Sequence, residues 1–436
     1  MRKRVVVLVA ALAAVLAACG NAPDPSETAS ADVTGPVGTV TPADLQKKVP
    51  STEVGVTDDT IRVGGVAAKT NILGAPYEQG AKGVQAYFDM INSQGGIYGR
   101  KLELVSQRDD QMVNNQAEVQ GLVSQDQVFA IAPVMSLLFT GADTAAAARI
   151  PTFGWNIQRE WTGPPNLFGE KGSAVCIDCG HPVQPWVAQH IGAKKIAVLG
   201  YAVDQSKDCV KGVKESFSHW PTAEIAYEDA SIPIGATDMS VTVQKMKDAG
   251  ADMVVTCLDT NGVVTLAKEM KRQDVKAAQF LQNGYDYDLL AKFGDLFEGS
   301  WVLTGFVPFE APQPPKGLQD YFTWIDKVPG AKRGELSLTG WLNADLLYRG
   351  LVAAGPEFTR DKVVAAINQM KDWDADGIAV GTDWTRAHES EGGQYCFAAV
   401  KIESSKFVPQ TGEPGKPFLC LDASTTTLDP NPAPRA

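Results

Sequence analysis

Residues 61–110 read IRVGGVAAKTNILGAPYEQGAKGVQAYFDMINSQGGIYGRKLELVSQRDD. The β-rich run from Ile61 to Val66 predicts a strand, and Lys69-Thr70-Asn71 a polar loop after it. Tyr77, Ala81, Val84, Phe88 and Ile91 then recur in steps of four and three, which puts one apolar stripe on one helix face. Gly95-Gly96 stops that helix, because glycine accepts the left-handed conformation at a helix end. Leu102 to Ser106 supplies a second strand. Such a strand–helix–strand unit is the building block of a parallel sheet.

The alternation continues outward. A helix through Ala117, Val119, Leu122 and Val123 precedes a strand from Val128 to Ala132 and the loop Pro133-Val134-Met135-Ser136. An Ala-rich helix from Phe139 to Arg149 and a short strand, Pro151-Thr152-Phe153, lead into Gly154-Trp155-Asn156. From Gln158 to Cys179 the chain is irregular and reads as the first crossing into a second lobe. Strands are expected there at Lys195 to Leu199, Asp252 to Cys257 and Gln279 to Leu281, each ending in a polar loop, with a helix capped at Asp238 and stopped at Gly250. Trp301 to Phe306 reads as a strand carrying the chain back, with Pro308 to Pro315 in the crossing. Helices near Leu338 to Ala354 and Asp361 to Met370 follow, then turns, then a hairpin of Gln394 to Lys401 and Lys406 to Pro409. The expected fold is α/β, with two doubly wound parallel-sheet lobes joined by a multi-strand hinge.

The opening stretch resembles that of the type I periplasmic binding proteins, the branched-chain amino acid (Leu/Ile/Val) receptor family of ABC transporters. The resemblance is carried by the loop after the first strand, by Gly80-Ala81-Lys82-Gly83, and by Ile91-Asn92-Ser93-Gln94-Gly95-Gly96-Ile97-Tyr98-Gly99-Arg100-Lys101. The second strand then runs out to Asp109-Asp110, and the likeness in element order spans Val56 to Leu421. It implies a solute receptor that closes its lobes on a small-molecule ligand, docks on a membrane permease and needs no cofactor or metal. The sequence also departs from the family. Where relatives place an acid for the ligand's ammonium group, this chain reads Gln282-Asn283-Gly284-Tyr285-Asp286, and of the first-lobe hydroxyl run only Ser136 and Thr140 are present. An amino acid, an aromatic acid, an amide or another small organic solute all stay open.

At 436 residues the chain exceeds one ordinary core. Its net charge of −12 disfavours nucleic acid and anionic membrane as direct partners. Arg2-Lys3-Arg4, the apolar run Val5 to Leu16 and Leu16-Ala17-Ala18-Cys19 read as a lipoprotein signal whose Cys19 thiol accepts the lipid, the alternative being a plain signal peptide. The expected organisation is a signal at 1–19, a disordered tether at 20–52, a first lobe at 53–172 and 308–385, a second lobe at 173–307 and 386–421, and a disordered tail at 422–436. The expected location is the extracytoplasmic face of the cell membrane, lipid-anchored.

Six cysteines remain after Cys19. Cys396 and Cys420 suit a pair across the closing hairpin; Cys176, Cys179, Cys209 and Cys257 allow three connectivities. Cys176-Ile-Asp-Cys179 also admits a redox motif, or a zinc site with His181 and Cys209.

In open parallel sheets ligands bind outside the carboxyl ends of the strands. The candidate ligand residues are Lys69, Thr70, Met135, Ser136, Trp155 and Asn156 in the first lobe, and Tyr201, Asp204, Asp259, Asn261, Tyr285 and Asp286 in the second. Any of the polar ones alone also suits a helix cap. An importer's receptor is the leading expectation, with a sensory lipoprotein as the alternative. An enzyme fits least, since His181, His190, His219 and His388 sit in no His-Glu-x-x-His zinc pattern and beside no nucleophile elbow.

Overall fold

The computed structural model describes residues 42–174, 176–282, 284–389, 394–413, 416–422 and 425–428, all within one compact unit. The signal, Cys19, the tether up to residue 41 and the tail from 429 lie outside the described residues. The first part of the chain runs α1 (Pro42–Leu45), β1 (Thr60–Ala67), α2 (Gln79–Ser93), β2 (Lys101–Asp109), α3 (Asn115–Ser124), β3 (Ala130–Met135), α4 (Ala142–Ala147), β4 (Thr152–Gly154) and β5 (Leu167–Gly169). Its five strands are parallel, in the order β2-β1-β3-β4-β5. The interior strand β3 is buried along its whole length, as expected of a strand covered on both faces.

The second part runs α5 (Val183–Ile191), β6 (Lys195–Tyr201), α6 (Asp204–His219), β7 (Glu224–Ile232), α7 (Ser240–Asp248), β8 (Met253–Cys257), α8 (Thr260–Arg272), β9 (Ala278–Leu281), α9 (Tyr287–Phe293) and β10 (Trp301–Thr304). The chain then supplies α10 (Lys316–Ile325), α11 (Glu335–Ala354) and α12 (Arg360–Ile367) to the first lobe, and β11 (Gln394–Glu403), β12 (Lys406–Pro409) and β13 (Leu419–Asp422) to the second. The second sheet has the order β12-β11-β10-β9-β8-β6-β7, with β13 beside β11. It is parallel from β7 to β10 and antiparallel from β10 onward. The two-lobed α/β architecture is therefore the expected one.

The Gly80-Ala81-Lys82-Gly83 run has a packing reason. A Cβ on Gly83 would lie 1.8 Å from the Ser337 carbonyl oxygen, and one on Gly340 1.8 Å from that of Gly80. Helices α2 and α11 thus meet backbone to backbone, which only glycine permits. Arg100 is also structural. Fully buried, it donates to the carbonyls of Thr57 (2.7 Å), Val49 (2.8 Å) and Tyr98 (3.2 Å).

Three segments cross between the lobes, and they lie side by side. Ser173 and Ala174 N–H donate to the Ala387 carbonyl, and Val307 N–H donates to Ile378.

The structure differs from the sequence reading in several places. Strand β3 extends to Met135, so Pro133, Val134 and Met135 are strand and not loop. Strand β5 lies inside the Gly/Pro-rich stretch, and β7 is an edge strand whose Glu224, Glu228 and Asp229 mask its periodicity. Helix α10 follows a Pro-rich run with no helix signal before it. Residues 42–52, expected in the tether, include α1, and Leu45 and Val49 carbonyls accept from Tyr98 N–H and Arg100. At the other end Asp422 belongs to β13, and Leu428 is buried in the second-lobe core.

Candidate functional site

The carboxyl ends of both parallel sheets open on one cavity of about 1360 Å³. The first lobe brings Tyr77, Leu137, Trp155 and Lys171 to it from the ends of β1, β3, β4 and β5. The second brings Tyr201, Asp259 and Tyr285 from the ends of β6, β8 and β9. Most of this lining is apolar or aromatic, the usual character of an organic-ligand site. Tyr77 and Trp155 form one wall, with ring centroids 5.9 Å apart. Tyr285 and Phe309 form another, edge to face at 5.3 Å.

The polar groups are individually tied. Tyr201 donates its hydroxyl to Asp259 Oδ1 (2.5 Å), and the same oxygen accepts the Gly262 N–H (2.7 Å), capping α8. Burial first, and then the Asp259 hydrogen bond and charge, push the Tyr201 phenol well above its ordinary range. Tyr77 is raised too, by burial and then by the field of Asp259 from the facing lobe. Tyr285 and Tyr287 both donate to Glu310, Tyr285 at 2.6 Å, and the Tyr285 oxygen accepts the Phe309 N–H at 2.8 Å. Burial and the Glu310 carboxylate hold both phenols protonated at any physiological pH.

Charge concentrates around Lys171. Its ammonium lies 3.5 Å from the buried Glu170, whose other oxygen accepts the Asn156 N–H at 2.9 Å. Burial lowers the Lys171 ammonium, but the Glu170 and Glu335 carboxylates outweigh it and hold it above its ordinary value. The Lys171 side chain is 42 % accessible nonetheless, because it opens onto the cleft. Glu335, the first residue of α11, also lines the cavity. Burial lifts its carboxyl to about 7; Lys171 offsets part of that rise and Glu170 adds to it.

Of the sequence-derived candidates, Trp155, Asn156, Tyr201, Asp259, Tyr285 and Asp286 line the cavity. Asp286 also caps α9 by accepting from Asp288 and Leu289 N–H, and Asn156 is fastened to the Gly172 carbonyl at 2.6 Å. The other six are elsewhere. Met135 is fully buried beneath Trp155 and Tyr77, because β3 reaches that far. Ser136 is buried and accepts from Asn115 Nδ2 at 2.9 Å, so its hydroxyl is spent inside the lobe. Lys69 donates to the Gln107 carbonyl, and Thr70 to Asp109 at 2.6 Å, along the β1–β2 edge. Asp204 is exposed and 3.8 Å from Lys207. Asn261 donates to the Ile72 carbonyl across the lobes at 3.4 Å, beside and not within the cavity.

Tyr77, Lys171, Phe309 and Glu335 were not among the candidates. Tyr77 reads in the sequence as part of the helix stripe, and its place just before α2 is the signal that marks it. Lys171 lay in the stretch read as irregular, and Glu335 is brought in by α11 from far along the chain, which no local pattern announces.

All six described cysteines are paired. Cys396 and Cys420 face each other in the β11–β13 register and are bonded, as expected. Of the open connectivities the structure has Cys176–Cys179 and Cys209–Cys257. No thiolate is left among them for the zinc reading.

The chain matches the periplasmic binding protein family over residues 60–406. It is 24 % identical over 315 residues to the Leu/Ile/Val-binding protein homolog 8 of Brucella abortus, covering 67 % of this chain and 76 % of the relative. The fatty acid ABC transporter substrate-binding protein from Thermomonospora curvata superposes with a TM-score of 0.69 at 19 % identity, over 84 % of this chain and 94 % of that one. The branched-chain amino acid transporter substrate-binding protein LivJ from Streptococcus pneumoniae, in complex with isoleucine, does so at 0.68 and 18 % identity, over 80 % and 98 %.

Proposed function

This chain belongs to the periplasmic binding protein family, and from that premise we propose that it captures a small organic solute, an amino acid or a related acid or amide, by closing its lobes. It is a solute-binding protein of ABC transport and not an enzyme. The observation that carries the solute class is the shared cavity, in which Trp155 of one lobe and Tyr201 of the other line the same aromatic-walled space. A population shift towards the closed form would bury an apolar body between them and present the joined lobes to a membrane permease. The aliphatic and fatty-acid ligands named for the similar structures fit a cavity of this character. Cys19 is proposed to hold the protein to the extracytoplasmic face of the membrane through its lipid.

A thermal-shift screen over amino acids, amides and aromatic and aliphatic acids tests the capture reading, because a solute that binds only the folded state raises its stability by mass action. A saturable rise for at least one member, lost in Trp155→Ala, is expected. No rise across the whole set contradicts the solute class. For the anchor, radiolabelled palmitate should enter the wild-type chain in bacteria and not Cys19→Ser; label in both contradicts it.

A further inference from the structure

The Cys176–Cys179 disulfide is set apart from the other two. It joins residues three apart within one turn, whereas Cys209–Cys257 ties α6 to β8 and Cys396–Cys420 ties β11 to β13. A bond closing so short a loop restrains the unfolded chain little. It also reaches the surface. Among the described residues Cys179 is the one exposed cysteine, while Cys176 is half-buried and lines the cavity. The turn lies just past the first crossing between the lobes, and both lobes hold it. Asp178, between the two cysteines, accepts from Arg159, which neighbours the first-lobe core residue Trp161, and from Lys211 of α6, each at 2.8 Å.

The turn does not depend on the bond for its shape. A Cβ on Gly212 of α6 would stand 2.4 Å from the Ile177 carbonyl oxygen and 3.0 Å from that of Cys179, so the backbone of the turn rests directly on that helix. The His181 N–H donates to Ser216 Oγ at 2.8 Å, and His181 Nε2 lies 3.2 Å from the Cys176 carbonyl oxygen. The His181 ring packs on Tyr395 with centroids 4.8 Å apart. These contacts keep the two sulfurs side by side whether or not they are joined, which a reversible pair needs.

We propose that Cys176–Cys179 is a thiol–disulfide exchange site, with a dithiol as its reductant and Cys179 as the sulfur attacked. Two residues between the cysteines is the spacing that dithiol oxidoreductases use. The inference goes beyond solute capture and does not depend on it.

The chemistry runs in two displacements. One thiolate of the dithiol attacks the exposed Cys179 Sγ. A mixed disulfide forms there as the bond to Cys176 breaks, and Cys176 leaves as a thiolate that takes a proton from solvent. The second thiolate of the reductant then attacks the reductant's own sulfur in the mixed disulfide, and Cys179 leaves in the same way. Two electrons pass from the dithiol, which becomes a cyclic disulfide, to the pair, which becomes two thiols. A disulfide oxidant reverses both steps.

The full chain in detergent, equilibrated with graded mixtures of dihydrolipoate and lipoate, then alkylated and mapped by mass spectrometry, tests this. In the same mixture the reduced-to-oxidised ratio of Cys176–Cys179 should exceed that of either other pair at least about tenfold. The reduced chain should keep its near-ultraviolet circular dichroism, and lipoate should restore the bond without denaturant. For the point of attack, Cys176→Ser leaves the Cys179 thiol and should react with dithiobis(nitrobenzoate) at least about tenfold faster than Cys179→Ser. The alkylation arm uses the wild-type chain, so it decides the matter even where a variant fails to fold. A ratio no higher than that of the other pairs, reduction that unfolds the chain, a bond that does not re-form, or equal rates in two folded variants overturns the proposal.

Discussion

The Tyr201 hydroxyl and the Gly262 N–H converge on a single oxygen of Asp259, at 2.5 and 2.7 Å. One carboxylate thus caps α8 and orients the aromatic ring that lines the second-lobe side of the cleft. Asp259→Ala removes the cap, costing about 1 kcal/mol, and strands the hydroxyl of the buried Tyr201, costing a further ~1–3 kcal/mol. Tyr201→Phe leaves the cap intact and should cost about 1 kcal/mol. Denaturant unfolding of both variants checks the order; equal losses would mean that the shared oxygen is energetically unimportant.

The backbone contact of α2 with α11 gives a second expectation. Gly340→Ala gains about 1 kcal/mol of helix propensity, yet its methyl would sit 1.8 Å from the Gly80 carbonyl oxygen. Separation of the helices wins, at ~1–3 kcal/mol or more of net destabilisation. A variant as stable as wild type would show that the two helices do not touch in this way.

These two sites mark what sequence alone conveys. The strand–helix–strand order was readable because Tyr77 to Ile91 repeats at helical spacing and Gly95-Gly96 closes it. Trp155, Tyr201 and Tyr285 are readable as cavity-lining residues because each lies at or just past the carboxyl end of a buried strand. Ser136 and Met135 were misplaced by strand length, since β3 runs three residues beyond Ala132. Glu335 and Lys171 meet only in three dimensions, and nothing in either neighbourhood signals the other.

The disulfides should differ in worth. In the chain-entropy account a bond closing a longer loop restrains the unfolded chain more. Cys209–Cys257 spans 48 residues and Cys176–Cys179 spans three. Replacing the first pair by serine should cost about 4 kcal/mol, and the second about 2 kcal/mol or less. Denaturant midpoints of the two double variants measure this, and a reversed order would contradict it.

His388 predicts an acid limb in stability. Its Nε2 lies 2.8 Å from Asn368 Oδ1, its ring packs on Phe168 and Trp384, and its buried Nδ1 has no hydrogen-bond partner among the described residues. Burial depresses it to about 4. The unfolded chain binds the proton near 6.5 and the folded one does not until about 4, so the His388 contribution is full above pH 6.5 and is lost as pH falls between these values. His388→Gln should flatten the stability profile in that window; an unchanged slope would assign it to other groups.

Closure of the two lobes around a solute is what the whole account depends on, and small-angle X-ray scattering reads it most directly. The radius of gyration should fall on saturation with the tightest-binding member of the solute screen and return on its removal. Identical scattering with and without that tightly bound solute would contradict lobe closure.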